Sequence, residues 1–540
     1  MSESTLNQPR PAAHPTSSRR AAPRSDAIAR LRPAIAGAAA VLAGIGLAEL
    51  ASGLLGAQSL LAAIGSFLID HQPPGAKDVV VGLFGTNDKL AFEIMIVIVS
   101  MVIGALLGVL AVRRSYAAAV VGFGAFALLG FLASLQIPSA SPSTSMIVAL
   151  VAGIAGVQVL SFLLGTGGAG RTASGAPVAT VMADWSRRAF LLQAGAVAIA
   201  SSAAGLFGRR LLEGGAASVG GPATTLPTPV QLATIPAGAD LGQEDVTPLV
   251  VPNDSFYRID TALVTPSVDV SSWRLRVHGM VDHEVSLSYA DLAELPLIEQ
   301  YVTIACVSNE VGGRLVGNAK WTGVKLREVL AMAGVHPEAT QLVGRSVDGW
   351  TAGMPTAWVM DPAREPMIAL KMNDAPLPRS HGFPARLIVP GLYGYVSATK
   401  WLSDLELTTL EAFDGYWVPL GWSKEGPILT QARIDTPGDG QSVAAGRVAI
   451  AGVAWAPDRG IAKVEVAIDG VWQEAKLSTP ISKATWVQWL VAWDAAASGP
   501  GTHTVEVRAT DGTGVVQTAD RTPPAPDGAR GHHTIQVRVG

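Results

Sequence analysis

The residue with the most chemistry in this chain is its one cysteine. Cys306 sits in the run Thr303-Ile304-Ala305-Cys306-Val307-Ser308-Asn309-Glu310-Val311-Gly312-Gly313. An apolar strand ends at the thiol and a polar, glycine-containing turn follows, so the sulfur faces a loop-lined cleft. A thiolate is a nucleophile and a soft metal ligand. A free cysteine is also among the most often buried residue types, and position alone leaves a core role open. One cysteine excludes an intrachain disulfide, and the multi-cysteine spacings of zinc, iron–sulfur or covalent haem sites cannot be built. It can still give one metal one ligand. The formal net charge of -4 is small, and no basic stripe with interleaved aromatics points to nucleic acid.

The elements that must position this thiol follow from length and texture. A chain of 540 residues exceeds what one core usually organises. Its apolar residues crowd into the first 210 positions, and a mixed soluble texture follows. The stretch from Gly214 to Pro229, rich in Gly, Ala, Ser, Thr and Pro, marks a linker over about 211–239. From 240 to 428, short alternating runs such as Trp273 to Gly279 read as strands, and Thr322 to Ala333 reads as a helix, which makes a mixed α+β domain. From 429 to 540 the texture is all-β: Ala432 to Pro437, Val448 to Trp455, Val464 to Ile468, Trp486 to Trp493 and His503 to Ala509 alternate at strand spacing, with turns at Asp469-Gly470 and Asp511-Gly512. A compact sandwich is the natural solution. His532-His533 read as an exposed turn rather than a metal pair, because neighbours on a strand point to opposite faces.

The first part reads as an all-α transmembrane region. Residues 1–32, with Arg19, Arg20, Arg24, Arg30 and Arg32, form a basic tail expected to be disordered and cytoplasmic. Spanning a bilayer takes roughly 20 apolar residues. Such runs occupy 34–56, 90–112, 117–135, 144–164 and 189–208, about five spans, while Ser59 to Ile69 is too short and is stopped by Pro73 and Pro74. Basic residues alternate by loop, with Arg113 and Arg114, then Arg171, Arg187 and Arg188 on the tail's side. Five crossings then place everything after 210 outside the cytoplasm. Ser186-Arg187-Arg188-Ala189-Phe190-Leu191 before the last, Ala-rich run reads either as a twin-arginine export signal or as a basic flank. No histidine falls in a span, so bis-histidine haem is not expected there. With only Glu49 and Glu93 ionisable inside the spans, anchoring is the reading rather than transport.

The segment around Cys306 resembles the sulfite oxidase family of molybdopterin enzymes, in which a cysteine at this strand-to-loop position is the protein's ligand to molybdenum. Three further segments carry the resemblance. Asn253-Asp254-Ser255-Phe256-Tyr257-Arg258 is similar to the family's cofactor-contacting segment, which implies Asn253, Phe256 and Tyr257 as pterin contacts and Arg258 as the cation beside the metal. Met372-Asn373-Asp374-Ala375-Pro376-Leu377-Pro378-Arg379-Ser380-His381-Gly382-Phe383-Pro384-Ala385-Arg386 is similar to the family signature, with His381 and Arg386 as pterin contacts. Pro390-Gly391-Leu392-Tyr393-Gly394 leads to Ser397 and Lys400-Trp401, and Ser346 opens a further segment, so Ser346, Ser397 and Lys400 join the cofactor-binding set. A soft thiolate suits a high-valent metal otherwise held by the pterin's dithiolene. The pterin ends in phosphate, for which Arg386 and Lys400 offer charge-assisted donors. The last domain, with Ala454-Trp455-Ala456-Pro457-Asp458-Arg459-Gly460-Ile461, resembles the family's immunoglobulin-like dimerisation domain, which implies a possible homodimer.

The resemblance implies a molybdenum-molybdopterin cofactor and two-electron oxygen-atom transfer, with water supplying or receiving the oxygen and Arg258 favouring oxo-anion or sulfoxide substrates. Two positions depart from it. Sulfite-oxidising members carry a tyrosine where Ser346 to Pro355 has Trp350, and Trp350 reads as a catalytic or a packed aromatic residue; indole cannot accept a proton as a phenol can. They also carry an arginine before the lysine equivalent to Lys400, and none lies between Gly394 and Lys400. Both departures weaken sulfite as substrate. No haem, flavin or iron–sulfur cluster is expected in this chain, so a separate redox partner, a cytochrome or a quinone-linked protein, is implied. The competing class is a membrane-tethered adhesion or binding module without catalysis.

Overall fold

A computed structural model describes residues 27–72, 88–165, 186–214 and 226–540. The tail before Ala27, Arg171 and residues 215–225 of the glycine-rich stretch lie outside the described residues. The helices are α1 (Ala27–Leu55), a short α2 (Leu60–Asp70), α3 (Asp88–Arg113), α4 (Tyr116–Ser134), α5 (Pro142–Leu164) and α6 (Arg187–Gly214). All but α2 are long and apolar enough to cross a membrane. Two expected boundaries move. The tail shortens because Ala27–Arg32 already belongs to α1, Ala, Leu and Arg being strong helix formers. The last span runs past 208 to Gly214, which brings Arg209 alongside Glu49 and Glu93 as their cationic partner.

α1 lies at the centre of the bundle. A Cβ on Gly37 would come within 1.9 Å of the Gly104 carbonyl oxygen, so small residues let α1 and α3 touch backbone to backbone. Outward, Leu106, Val121, Ile154 and Ile199 are each more than half exposed, an apolar exterior that suits lipid rather than water. The α+β domain sits on the end of the bundle formed by the start of α3, the α4–α5 loop and the end of α6, as shown by Lys89 against Asp260, Pro138 against Gly349, and Leu212 against Arg379. Arg113 and Arg187 close the opposite ends of α3 and α6.

The α+β domain carries β1 (Arg274–Gly279), β2 (Val285–Ser288), β3 (Leu297–Ala305), β4 (Val316–Lys325), β5 (Gln341–Ser346), β6 (Thr351–Pro355), β7 (Met367–Met372), β8 (Ala375–Pro376), β9 (Arg386–Ile388) and β10 (Leu402–Thr408). One sheet runs β2-β1-β10-β5-β6; the other runs β3-β4-β7-β8, with β9 pairing β7. β3 and β4 pair antiparallel from Leu297 opposite Val324 to Ala305 opposite Val316. Burial along β3 is nearly continuous because both its faces are covered. The expected helix over Thr322–Ala333 begins only at Leu326: Thr322 and Val324 stay in β4, where β-branched residues fit the ladder to β7.

The last domain is a sandwich of β11 (Gln431–Thr436), β12 (Ser442–Val443), β13 (Arg447–Trp455), β14 (Ile461–Ile468), β15 (Val471–Glu474), β16 (Lys476–Leu477), β17 (Val487–Asp494), β18 (Gly501–Asp511) and β19 (His533–Val539), in sheets β11-β13-β17-β16 and β12-β19-β18-β14-β15. Asp469 and Gly470 both take positive φ in the β14–β15 hairpin, as a two-residue primed turn requires. Asp511 opens a longer turn, its amide donating to the Val515 carbonyl and its own carbonyl accepting the Gly514 amide, while its buried carboxylate accepts from Arg459, Thr430 and Thr513. His532 and His533 do not form an exposed turn. His532 is buried between Glu506 and the Gln517 carbonyl, and His533 accepts the Ile434 amide, because the packing of β18, β19 and β11 covers them.

The sandwich shares its core with the α+β domain. Val453, Trp455 and Trp486 join the cluster built on β3, β4 and β7. Trp486 donates from its indole to the Leu249 carbonyl at 3.0 Å and from its amide to Thr303 at 2.8 Å, on the strand that leads to Cys306. The expected linker also shortens: the Val230 amide donates to Leu297, Glu299 pairs with Gln231, and Ala239 is fully buried, so this stretch extends the edge of β3. Trp486→Ala is therefore expected to cost about 3–5 kcal/mol and to lower one joint unfolding transition of both soluble domains. Scanning calorimetry that resolves two independent transitions would contradict the shared core.

Candidate functional site

Cys306 follows directly on β3. Its amide donates to the Leu315 carbonyl at 2.9 Å, its carbonyl accepts the Asn309 amide, and the Asn309 side chain accepts the Leu315 amide at 2.7 Å, so the loop closes on itself. Arg433 of β11 donates to the Gly313 carbonyl at 2.8 Å and braces that loop from the sandwich. The thiol is 9% exposed and opens into a cavity.

Eight of the eleven residues singled out in the sequence line this cavity: Phe256, Tyr257, Cys306, Ser346, Trp350, His381, Arg386 and Lys400. They come from five separate segments, and the two sheets bring them together. Phe256 stacks on Tyr257 and meets His381 edge-on at 5.7 Å. The phenol of Tyr257 is pushed well above its ordinary range, by burial first and by the neighbouring Cys306 next, so it stays protonated. His381 Nε2 donates to the Asn253 carbonyl at 2.9 Å, which leaves Nδ1 as an acceptor. Burial, together with the Arg386 and Lys400 charges, holds this imidazole down to about 4, so it is neutral at pH 7.

The two cations differ in their partners. Lys400 donates to Asp260 at 2.7 Å and to the Ser380 carbonyl at 3.1 Å; burial pushes its ammonium down to about 8 while Asp260 pulls the other way. Arg386 is 4% exposed, lies over the Trp321 ring and donates only to carbonyls, that of His381 at 3.1 Å and more distantly those of Leu387 and Ala398. Burial lowers it to about 10, still charged at neutral pH. Among the described residues no carboxylate pairs with it. A guanidinium buried among carbonyls is a charge still in need of an anion.

Three expected contacts fall elsewhere. Arg258 turns its guanidinium to Asp260 at 3.0 Å and Thr265 at 2.9 Å, with its side chain 43% exposed, because that buried carboxylate outcompetes the cavity for it. Asn253 binds the Met372 carbonyl and the Asn373 side chain, and so buttresses His381 from behind. Ser397 donates to the Leu392 and Tyr393 carbonyls and closes the turn Gly394–Ser397.

The cavity also contains residues that sequence reasoning passed over. Asp260 is buried, yet Lys400, Lys89 and Arg258 hold its carboxyl well below the usual range. Asp348, beside Trp350, is raised by burial, and its carboxylate accepts the Trp350 amide. Tyr395, Trp417 and Trp422 add aromatic wall. Asp348 and Tyr395 lie within or next to segments already singled out; Trp417 and Trp422 follow β10 in irregular chain and carry no local signal. A second cavity of about 390 Å³ at the junction with the bundle shares Thr261, Asp348 and Trp350 with the first.

The arrangement joins a soft thiol ligand, two cations suited to an anion, a protonated phenol and a neutral imidazole. Among the described residues no three His, Cys, Asp or Glu side chains group to hold a metal, so a metal on Cys306 would take its other ligands from a bound molecule. A metal carried by an anionic pterin dithiolene fits that requirement, and the Arg386 charge fits its phosphate.

Comparison with known proteins agrees. Residues 262–417 match the oxidoreductase molybdopterin binding domain, and residues 431–507 match the bacterial Ig domain. The chain is 33% identical over 272 residues to mitochondrial sulfite oxidase of Rattus norvegicus, covering 42% of this chain and 49% of that protein. It is 34% identical over 188 residues to the uncharacterized oxidoreductase YuiH of Bacillus subtilis (strain 168), covering 34% of this chain and 91% of that protein. The chain thus spans about half the length of the sulfite oxidase it matches. The sulfane dehydrogenase SoxCD of Paracoccus pantotrophus aligns with a TM-score of 0.46 at 22% identity, over 54% of this chain and 81% of that one.

The neutral His381 generates a pH dependence. An unfolded imidazole takes up its proton near 6.5 and the folded one only near about 4, so this contribution is whole above pH 6.5 and is lost as the pH falls through that window. The loss amounts to on the order of 3 kcal/mol. Denaturant titrations from pH 7 to 4.5 should show the slope, and His381→Gln should flatten it; equal slopes in both proteins would assign it to another group.

Proposed function

Because this chain belongs to the sulfite oxidase family of molybdopterin oxidoreductases, we propose that it is a membrane-anchored oxygen-atom-transfer enzyme whose catalytic domain lies outside the cytoplasm. The observation that carries the reading is Arg386, a buried cation that no carboxylate pairs with among the described residues, in the same cavity as the single cysteine. An adhesion module has no use for such a charge. In this reading Cys306 ligates molybdenum, Arg386 and Lys400 hold the pterin phosphate, and Phe256, Tyr257 and His381 pack and hydrogen-bond the pterin. When bound, the cofactor supplies two-electron oxygen-atom transfer, with water as the source or sink of the oxygen. The protein's own part is to exclude water with an aromatic wall, to keep the Tyr257 phenol and the neutral His381 as a donor and an acceptor, and to fix the cation positions.

The substrate follows from the wall around Trp350. Arg258 is committed to Asp260, and Trp350, Tyr395, Trp417 and Trp422 supply apolar aromatic surface. A cavity so lined favours a neutral, dipolar sulfur compound such as a sulfoxide over sulfite. Electrons pass to or from a separate redox partner, a cytochrome or a quinone-linked protein, since the sequence contains no haem, flavin or iron–sulfur motif. Orientation is supported by the basic ends Arg113 and Arg187 lying away from the catalytic domain.

Full-length protein matured with cofactor should hold molybdenum near one atom per chain. Cys306→Ser should lose both metal and turnover with an artificial electron carrier, by more than the roughly 10–100-fold that loss of an outer-shell partner costs a metal site. Metal and activity surviving that change would overturn the assignment. Faster turnover of sulfite than of an aromatic sulfoxide would overturn the neutral-substrate reading alone.

A further inference from the structure

The membrane bundle reaches into the charge pattern of the catalytic cavity. Lys89, in the first turn of α3, donates to one oxygen of Asp260 at 2.6 Å and to the Ala262 carbonyl at 2.9 Å. The other Asp260 oxygen takes Lys400 at 2.7 Å and Arg258 at 3.0 Å. The Asp260 side chain is only 4% exposed, so this carboxylate is a desolvated hub shared by three cations. Asp348, the other carboxyl in the cavity wall, accepts the Trp350 amide instead.

Asp260 has two opposed effects on an anion held at Lys400. It fixes the ammonium in place, and its own negative charge opposes the anion at close range in a low-dielectric setting. The Arg258 and Lys89 side chains are both partly exposed, at 43% and 36%, so solvent screens each of them and neither cancels that charge alone. Lys89 adds the nearer contact, 2.6 Å against 3.0 Å, from the side of the bundle and on the oxygen that Arg258 and Lys400 leave. A second tie joins the same parts: Arg379, two residues before His381, donates to the Leu212 and Glu213 carbonyls that end α6 and to the Thr265 and Pro266 carbonyls beyond Asp260. The segments that carry Asp260 and His381 are therefore both fastened to helix ends of the bundle.

We infer that Lys89 is a positioning residue of the cofactor site: by neutralising Asp260 it lets Asp260 orient Lys400 without cancelling the charge Lys400 offers to the pterin phosphate, so that cofactor retention depends on the docked membrane bundle. This rests on the reading of the cavity as a molybdopterin site. It makes the helical region a working part of that site as well as an anchor.

The test uses full-length protein in detergent, matured with cofactor, and follows molybdenum and oxidised-pterin fluorescence per chain after dilution. Lys89→Met should release the cofactor faster by on the order of tenfold, and Lys89→Arg should hold it like the parent. The decisive variant is Lys89→Met combined with Asp260→Asn. If Lys89 acts by neutralising Asp260, removing the carboxylate as well restores retention relative to Lys89→Met alone. If Lys89 merely glues the bundle to the domain, the double variant is as leaky as the single one or worse, and the inference falls. Release from Lys89→Met at the parental rate also overturns it. A parent chain that carries no pterin or molybdenum would instead overturn the underlying reading of the cavity, and this inference with it.

Discussion

A guanidinium buried with no carboxylate paired to it among the described residues is the constraint on which the site depends. Moving a full charge out of water is costly, and carbonyl dipoles offset only part of that cost. Arg386 is held there by β9, which pairs with β7, by the Trp321 ring beneath it, and by the His381 carbonyl ahead of it. Each belongs to the cluster of segments that also encloses Cys306, so the positive charge and the thiol are positioned by one framework. An anionic, metal-carrying ligand satisfies both at once.

The framework is stiffer than a lone α+β domain would be. β3 leads to Cys306, and it is held along its length by β4, by Thr303 bonded to the sandwich through Trp486 and Ala484, and by the 230–231 stretch along its edge. Arg433 then reaches from β11 to the loop after the thiol. The immunoglobulin-like domain thus bears directly on the loop after Cys306. It fills the core beside that loop and pins its backbone.

On the other side the bundle closes the site. Pro138 packs against Gly349 next to Trp350, Asp70 accepts from Tyr416, and Leu263 packs into the space left by Gly65. Trp350 stands in the wall of both the catalytic cavity and the junction cavity, so its environment is decided jointly by the domain that carries it and the helices that face it.

The sequence by itself determined the outline. Five apolar runs marked the membrane-spanning lengths, because burying backbone in lipid demands about 20 apolar residues in a row whatever the neighbours are. Alternation with turn residues marked the sandwich, and the ordered segments around Cys306, His381, Arg386 and Lys400 carried the family resemblance. Tertiary structure decided what depends on contacts between distant segments. Thr322–Lys325 lies in a strand because β7 is there to pair with it. His532 is buried because β18 and β19 fold over it. Arg258 leaves the cavity because Asp260, two residues on, is made a strong acceptor by its burial beside Lys400 and Lys89. Asn253 and Ser397 become supports for the same reason: a hydrogen-bonding side chain goes to the partner that packing brings nearest, and that partner is not written in its own neighbourhood of the chain.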